Sequence, residues 1–206
     1  MVEPIQGEAG VVVPPAGYLR ELRALCDRHD LLLICDEVQT GIGRTGRLFA
    51  SEHEAVKPDI LTLGKGLGGG VPVSAILANT RANCFAPGDQ GGTYNGNPLM
   101  VAVARRVFSV VSEPAFLARV QASAEYLRER LSNLCVAHGF ELRGRGLLLA
   151  LVLPSARAEQ LVQACFYRGL LLNAPRPNVL RLMPSLRVSA AEIDEMVSTL
   201  AQALYD

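Results

Sequence analysis

Apolar residues along this chain follow two rhythms, one of helices and one of short buried strands. Val2-Glu-Pro-Ile-Gln6 reads as a short strand running into a glycine-rich loop, Gly7-Glu-Ala-Gly10. Tyr18, Leu19, Leu22, Leu25 and Cys26 then recur at helical spacing and predict an amphipathic helix to about His29. The bare run Leu31-Leu-Leu-Ile-Cys35 has the length of a strand and stops on Asp36-Glu37. After a loop and a short helix over 49–56, a second run, Asp59-Ile-Leu-Thr-Leu63, stops on Gly64-Lys65. Residues 71–78 read as a further strand. Beyond Pro98 the helical rhythm returns, first to about Glu113-Pro114 and again over 115–138. A strand at 146–153, a helix over 156–168 and short strands at 170–173 and 179–183 follow. Ser189 with Glu192 three positions on forms a capping box that opens the last helix.

Apolar runs buried on both faces and separated by helices predict an α/β fold with a mainly parallel sheet. The domain boundary is placed between the two long helices, giving a domain over 1–112 and a small α/β domain over 113–206. In such sheets ligands bind at the carboxyl ends of strands. Both apolar runs end there on a charge, Asp36 on one and Lys65 on the other.

Composition narrows the function more than the fold. The chain has 206 residues, 50% hydrophobic and 19% charged, with 20 acidic and 20 basic side chains. That balance argues against a nucleic-acid or anionic-membrane partner. No polar-free stretch approaches the ~18 residues that cross a bilayer, and the first residues show no secretory pattern. The five cysteines include no C-x-x-C pair and the three histidines no metal-ligand spacing, so free thiols, no metal and a cytoplasmic setting are expected.

Lys65 is followed by Gly66 and a triglycine, Gly68-Gly-Gly70. A lysine closing a buried strand could be a snorkelling side chain beside a turn. Alternatively, its amine is nucleophilic, as a Schiff-base lysine requires. Asp36 could cap a turn, or it could hold a proton on a pyridine nitrogen. The two together are what pyridoxal phosphate needs. Gly41-Ile-Gly-Arg-Thr-Gly46 spells G-x-G-x-x-G, but five residues separate it from the last apolar strand position, unlike a dinucleotide turn. Gly91-Gly-Thr-Tyr-Asn-Gly-Asn-Pro98 opens a helix and suits either a phosphate or an ordinary capped start. Arg181, inside the apolar Val179-Leu-Arg-Leu-Met183, needs a carboxylate from the protein or from a substrate.

Glu3-Pro-Ile-Gln-Gly-Glu8, Asp36-Glu-Val-Gln-Thr-Gly41, Gly43-Arg-Thr-Gly46, Lys65 with its triglycine, Gly92-Thr-Tyr-Asn-Gly-Asn-Pro98 and Arg181-x-x-Pro184 occur in one order. Together they resemble the class III pyridoxal-phosphate aminotransferases, in the acetylornithine and ornithine aminotransferase subgroup, over essentially the whole chain. The resemblance implies part of a fold-type I large domain followed by a small C-terminal domain. It implies that Lys65 forms the Schiff base and moves the proton, while Asp36 holds the ring-nitrogen proton. Val38 would pack on the ring, Gln39 would bond the ring hydroxyl, and Thr93 would reach the cofactor phosphate of a neighbouring subunit in a homodimer. Arg181 would clamp a substrate carboxylate, with Glu8 pairing to it when the carboxylate is absent. Gly92 would also lie at the substrate, at a position where the family commonly has Ser or Thr with a hydroxyl contact to substrate or phosphate. Residues 171–178 look most like acetylornithine aminotransferases, which pass an amino group between N-acetylornithine and 2-oxoglutarate in arginine synthesis.

Members of the family are roughly twice as long. The expectation is therefore a C-terminal half, lacking the glycine-containing phosphate cup and the aromatic residue on the ring's other face, and inactive alone. Two alternatives stand beside it: a non-catalytic product or half-chain needing a complementary chain, and a nucleotide-binding oxidoreductase built on residues 41–46.

Overall fold

In a computed structural model that describes residues 1–205, the first amphipathic stretch forms α1 (Tyr18–Arg28). No side chain of its own caps this helix. The Glu54 carboxylate accepts from Gly17 N at 3.1 Å and Arg20 N at 3.2 Å instead, a cap supplied from elsewhere in the chain. The apolar runs give β1 (Ile34–Asp36) and β2 (Ile60–Leu63), and the following segment gives β3 (Ala75–Ala78). The helix beginning at Pro98 is α2 (Pro98–Val111). The order is β1-β2-β3, with β1 and β2 parallel and Asp36 opposite Thr62. Val2 forms a parallel bridge to Cys35. These elements belong to a first compact unit, Met1–Pro4 with Pro14–Leu117.

Three details of this unit differ from expectation. Leu31 and Leu32 are 52% and 42% exposed, because the chain is still turning out of α1 there, with Leu31 N bonded to Cys26 O. The sheet buries one row, Cys35, Leu61 and Leu63, while Ile34, Asp36, Ile60 and Thr62 are half-buried. β3 runs antiparallel to β2. The apolar cluster of the unit joins Leu19, Cys26, Leu33, Cys35 and Val56. Beside it the buried Asp59 carboxylate takes hydrogen bonds from Leu33 N at 2.8 Å, Arg23 Nη1 at 2.7 Å and Asn79 Nδ2 at 2.8 Å. Burial would raise its pKa, but these donors together outweigh that and hold it down to about 2. Burial also pushes the Cys35 thiol up to about 12, so it is a neutral core group.

The second unit, Ile5–Val13 with Ala118–Asp206, is built on an antiparallel sheet. Its strands are β4 (Glu141–Arg145), β5 (Leu148–Val152), β6 (Asn173–Arg176) and β7 (Val179–Leu182), in the order β4-β5-β7-β6. α3 (Pro114–His138) begins in the first unit and runs on into the second. Val120, Ala124, Leu127, Leu131 and Leu134 make its buried stripe. α4 (Ala158–Tyr167) and α5 (Ala190–Ala203) complete the unit, and α5 opens on the capping box of Ser189 and Glu192. β4 was absent from the sequence expectation, because Glu-Leu-Arg-Gly-Arg is polar and interrupted by glycine. It survives as an edge strand against β5, buried from Leu148 to Leu151. β6 lies at 173–176, later than the expected 170–173. It tolerates Pro175 because it too is an edge, where a missing N–H goes unnoticed. Among the described residues, no helix is long and apolar enough to cross a membrane.

Candidate active site

In the first unit, sheet register does the positioning. β1 and β2 end side by side, so Asp36 and the Gly64-Lys65 step lie at the carboxyl ends of adjacent parallel strands. The Asp36 Oδ1 accepts from Val38 N at 3.0 Å, and its Oδ2 has no protein partner among the described residues. Thr62, the register partner of Asp36, has a buried Oγ1 with nothing to bond. Lys65 is exposed, and among the described residues nothing bonds its amine. Its backbone sits at φ 41°, in the left-handed region that a lysine enters at a cost of about 1 kcal/mol or more. A residue held at that cost, with a free amine at a strand end, is a functional candidate.

The loop after Asp36 is fixed by a residue that sequence reasoning passed over. Glu37 is 1% exposed and accepts from Thr40 Oγ1, Ala50 N and Ser51 N at 2.5, 2.9 and 2.8 Å. It ties residues 37–40 to the start of a short 3-10 turn at Ala50–Glu54, and so holds Val38 and Gln39 beside Asp36. The only local signal for it is Thr40 three positions on; the two amides lie far along the chain. Gly41 follows because a Cβ there would come within 2.8 Å of Glu37 O. The glycines at 41, 43 and 46 thus shape turns, and no α-helix opens from them among the described residues. A pyrophosphate on a helix N-terminus has no counterpart there.

Val38 is half-buried and packs against Gly64, whose missing Cβ would stand 3.4 Å from Val38 Cγ1. Gln39 is half-buried and hydrogen-bonded. Thr93 is exposed on the loop before α2. Asn97 Oδ1 already accepts from Leu99 N and Met100 N at 3.1 and 3.3 Å, so this helix start is capped by its own side chain. A side chain at Gly92 would press on the Asn95 amide at 2.9 Å. The other half of the candidate set lies in the second unit. Arg181, on β7, bonds Glu8 Oε1 at 2.7 Å and Gly7 O at 3.3 Å through Nη1. Glu8 is largely exposed and Arg181 largely buried, so the carboxylate can leave more cheaply than the guanidinium.

The first-unit residues fit the cofactor implied by the resemblance. An open carboxylate oxygen suits a protonated ring nitrogen, an unpaired buried hydroxyl lies next to it, and an unpartnered amine suits an aldehyde.

Comparison with known proteins bears on the chain as a whole. A model of the family described as aminotransferase class-III matches residues 1–204. The acetylornithine aminotransferase of Ralstonia nicotianae is 52% identical over 208 residues, covering 99% of this chain and 52% of that protein. A succinylornithine transaminase of Yersinia pseudotuberculosis is 44% identical, covering 99% of this chain and 51% of its own length. Among solved structures, acetylornithine aminotransferase from Elizabethkingia anophelis superposes with a TM-score of 0.91 at 40% identity, covering 99% of this chain and 53% of that one. The chain therefore spans about half the length of the curated relatives it matches.

Proposed function

The chain belongs to the class III aminotransferases, enzymes that depend on pyridoxal phosphate, and from that premise we propose that it serves acetylornithine:2-oxoglutarate transamination in arginine synthesis. The observation that carries the reading is the pair at the strand ends, an open Asp36 carboxylate and an unpartnered Lys65 amine on adjacent parallel strands. Names among the relatives favour acetylornithine as amino donor, and the succinylornithine transaminase marks a competing donor.

Bound at this pair, the cofactor supplies an electron sink for the substrate's amino carbon. The chain's own residues do the rest. Lys65 would hold the cofactor through Nζ and would act as the general base and acid that moves the proton of the 1,3-shift. Asp36 would hold the ring-nitrogen proton through Oδ2, while Val38 N donates to its Oδ1. Val38 would pack on the ring, Gln39 would bond the ring hydroxyl, and Thr93 would take the cofactor phosphate of a partner subunit in a homodimer. Arg181 receives the carboxylate of the amino acid or 2-oxo acid, and Glu8 takes its place between substrates. The setting proposed is the cytoplasm.

We propose little or no turnover for these 206 residues by themselves, which span about half the length of the relatives. Robust acetylornithine turnover by this chain alone would overturn that part. The site assignment has its own test: incubation with pyridoxal phosphate, borohydride reduction and peptide mapping. The pyridoxyl group is expected on Lys65 and lost in Lys65→Ala. Equal labelling of the Ala variant, or equal labelling of Lys57, the other lysine of the sequence, contradicts it.

A further inference from the structure

Arg143 and Arg181 stand in one cross-strand row of the second unit. Arg143 on β4 pairs with Ala150 on β5, and Ala150 pairs with Arg181 on β7. Directly opposed residues of antiparallel strands project to the same face, so two guanidiniums rise on either side of one methyl group, about 10 Å apart at the backbone. The Glu8-bearing turn is seated on this row. Its base is closed by the Gln6–Val12 pair, with N–O distances of 3.0 and 2.9 Å. Ile5 and Val11 anchor it in an apolar cluster with Leu148, Ala150 and Val179.

The two arginines grip opposite limbs of the turn. Arg181 takes Gly7 O and the Glu8 carboxylate. Arg143 sends both Nε and Nη2 to Gly10 O, at 3.0 and 2.6 Å. Gly10 has φ 105°, and a Cβ there would stand 3.2 Å from Arg143 Nη2, so both the backbone and the guanidinium ask for glycine. Among the described residues Arg143 pairs with no acid. A charged fork spent on one neutral carbonyl fixes position, since it neutralises nothing.

We propose that Arg143 is a positioning residue for the carboxylate clamp: by holding Gly10 O it presents Glu8 to Arg181 and sets how strongly an incoming carboxylate must compete. The inference rests on the reading of Arg181 as the carboxylate receptor. With the turn held, opening the clamp is a swing of the exposed Glu8 side chain alone. With Arg143 removed, the turn loosens and Glu8 spends less time on Arg181.

The test is a mutant cycle on the full 206-residue chain, with glutarate binding followed by NMR and thermal unfolding measured alongside. Glu8→Gln should tighten glutarate about tenfold and Arg143→Met about threefold, as expected when a charge-assisted competitor is removed or loosened. In the Glu8→Gln background, Arg143→Met should change nothing further, and Arg143→Lys should fall between wild type and Arg143→Met. Should Arg143→Met not fold, Arg143→Lys carries the same cycle. Weaker binding on loss of Arg143 in both backgrounds would make it a direct ligand and overturn the proposal. A lowered melting temperature with unchanged glutarate affinity would leave it a structural residue and overturn it equally. Glutarate binding that ignores Arg181→Met, or is absent from the wild-type chain, would instead bring down the receptor reading itself.

Discussion

The strand ends of the first unit and the arginine row of the second handle charge in opposite ways. At the strand ends, polar groups are left open: one Asp36 oxygen, the Thr62 hydroxyl and the Lys65 amine. On the arginine row they are closed by the chain itself, Arg181 by Glu8 and Arg143 by Gly10 O. A buried polar group without a protein partner, such as the Thr62 hydroxyl, calls for a water or a ligand. Closed groups imply that a ligand must displace something first. On the proposed reading the two regions divide the work, the strand ends holding the cofactor and the arginine row releasing and recapturing a substrate end.

The comparison can be broken at several strengths. Lys65→Ala is the strongest, with expected loss of all pyridoxyl attachment in the mapping experiment. Removing a partner from a buried charge comes next: Asp59→Ala should cost about 3 kcal/mol, read by denaturant unfolding of the chain. Acid should reach the same contact. The Asp59 pKa is depressed to about 2, so its contribution is whole above the unfolded carboxyl's range and lost as pH falls toward 2. A wild-type chain should thus lose stability across that window, and Asp59→Asn should lose less there. Glu37→Gln should cost about 1–2 kcal/mol, since an amide can keep only part of a three-donor site. It should also loosen Ala50 and Ser51, visible as faster amide exchange. The smallest effect should be on the arginine row: Glu8→Gln should shift stability by less than about 0.5 kcal/mol, because its carboxylate is exposed. A large stability loss there would mean the Glu8–Arg181 contact is structural and the two regions are not opposites.

The placement of Asp36 and Lys65 at adjacent strand ends was legible in the sequence because bare apolar runs end on them, and strand ends are where parallel sheets bind ligands. The α5 start was legible because a capping box is local, written in Ser189 and Glu192. What escaped the sequence is non-local. Glu37 works through amides 13 and 14 positions away, and Arg143 through a carbonyl 133 positions away. The antiparallel direction of β3 escaped because hydrophobicity records burial and not direction. Leu31 and Leu32 misled for the reverse reason: apolar residues that continue a helix exit read like the start of a strand.

The central claim is that Asp36 and Lys65 form one cofactor site. Its most direct test is the nitrogen NMR signal of pyridoxal phosphate labelled at the ring nitrogen and bound to this chain. A protonated ring nitrogen is expected in the wild type, with loss of that proton at neutral pH in Asp36→Asn while the label remains on Lys65. The same protonation state in both proteins would contradict the account.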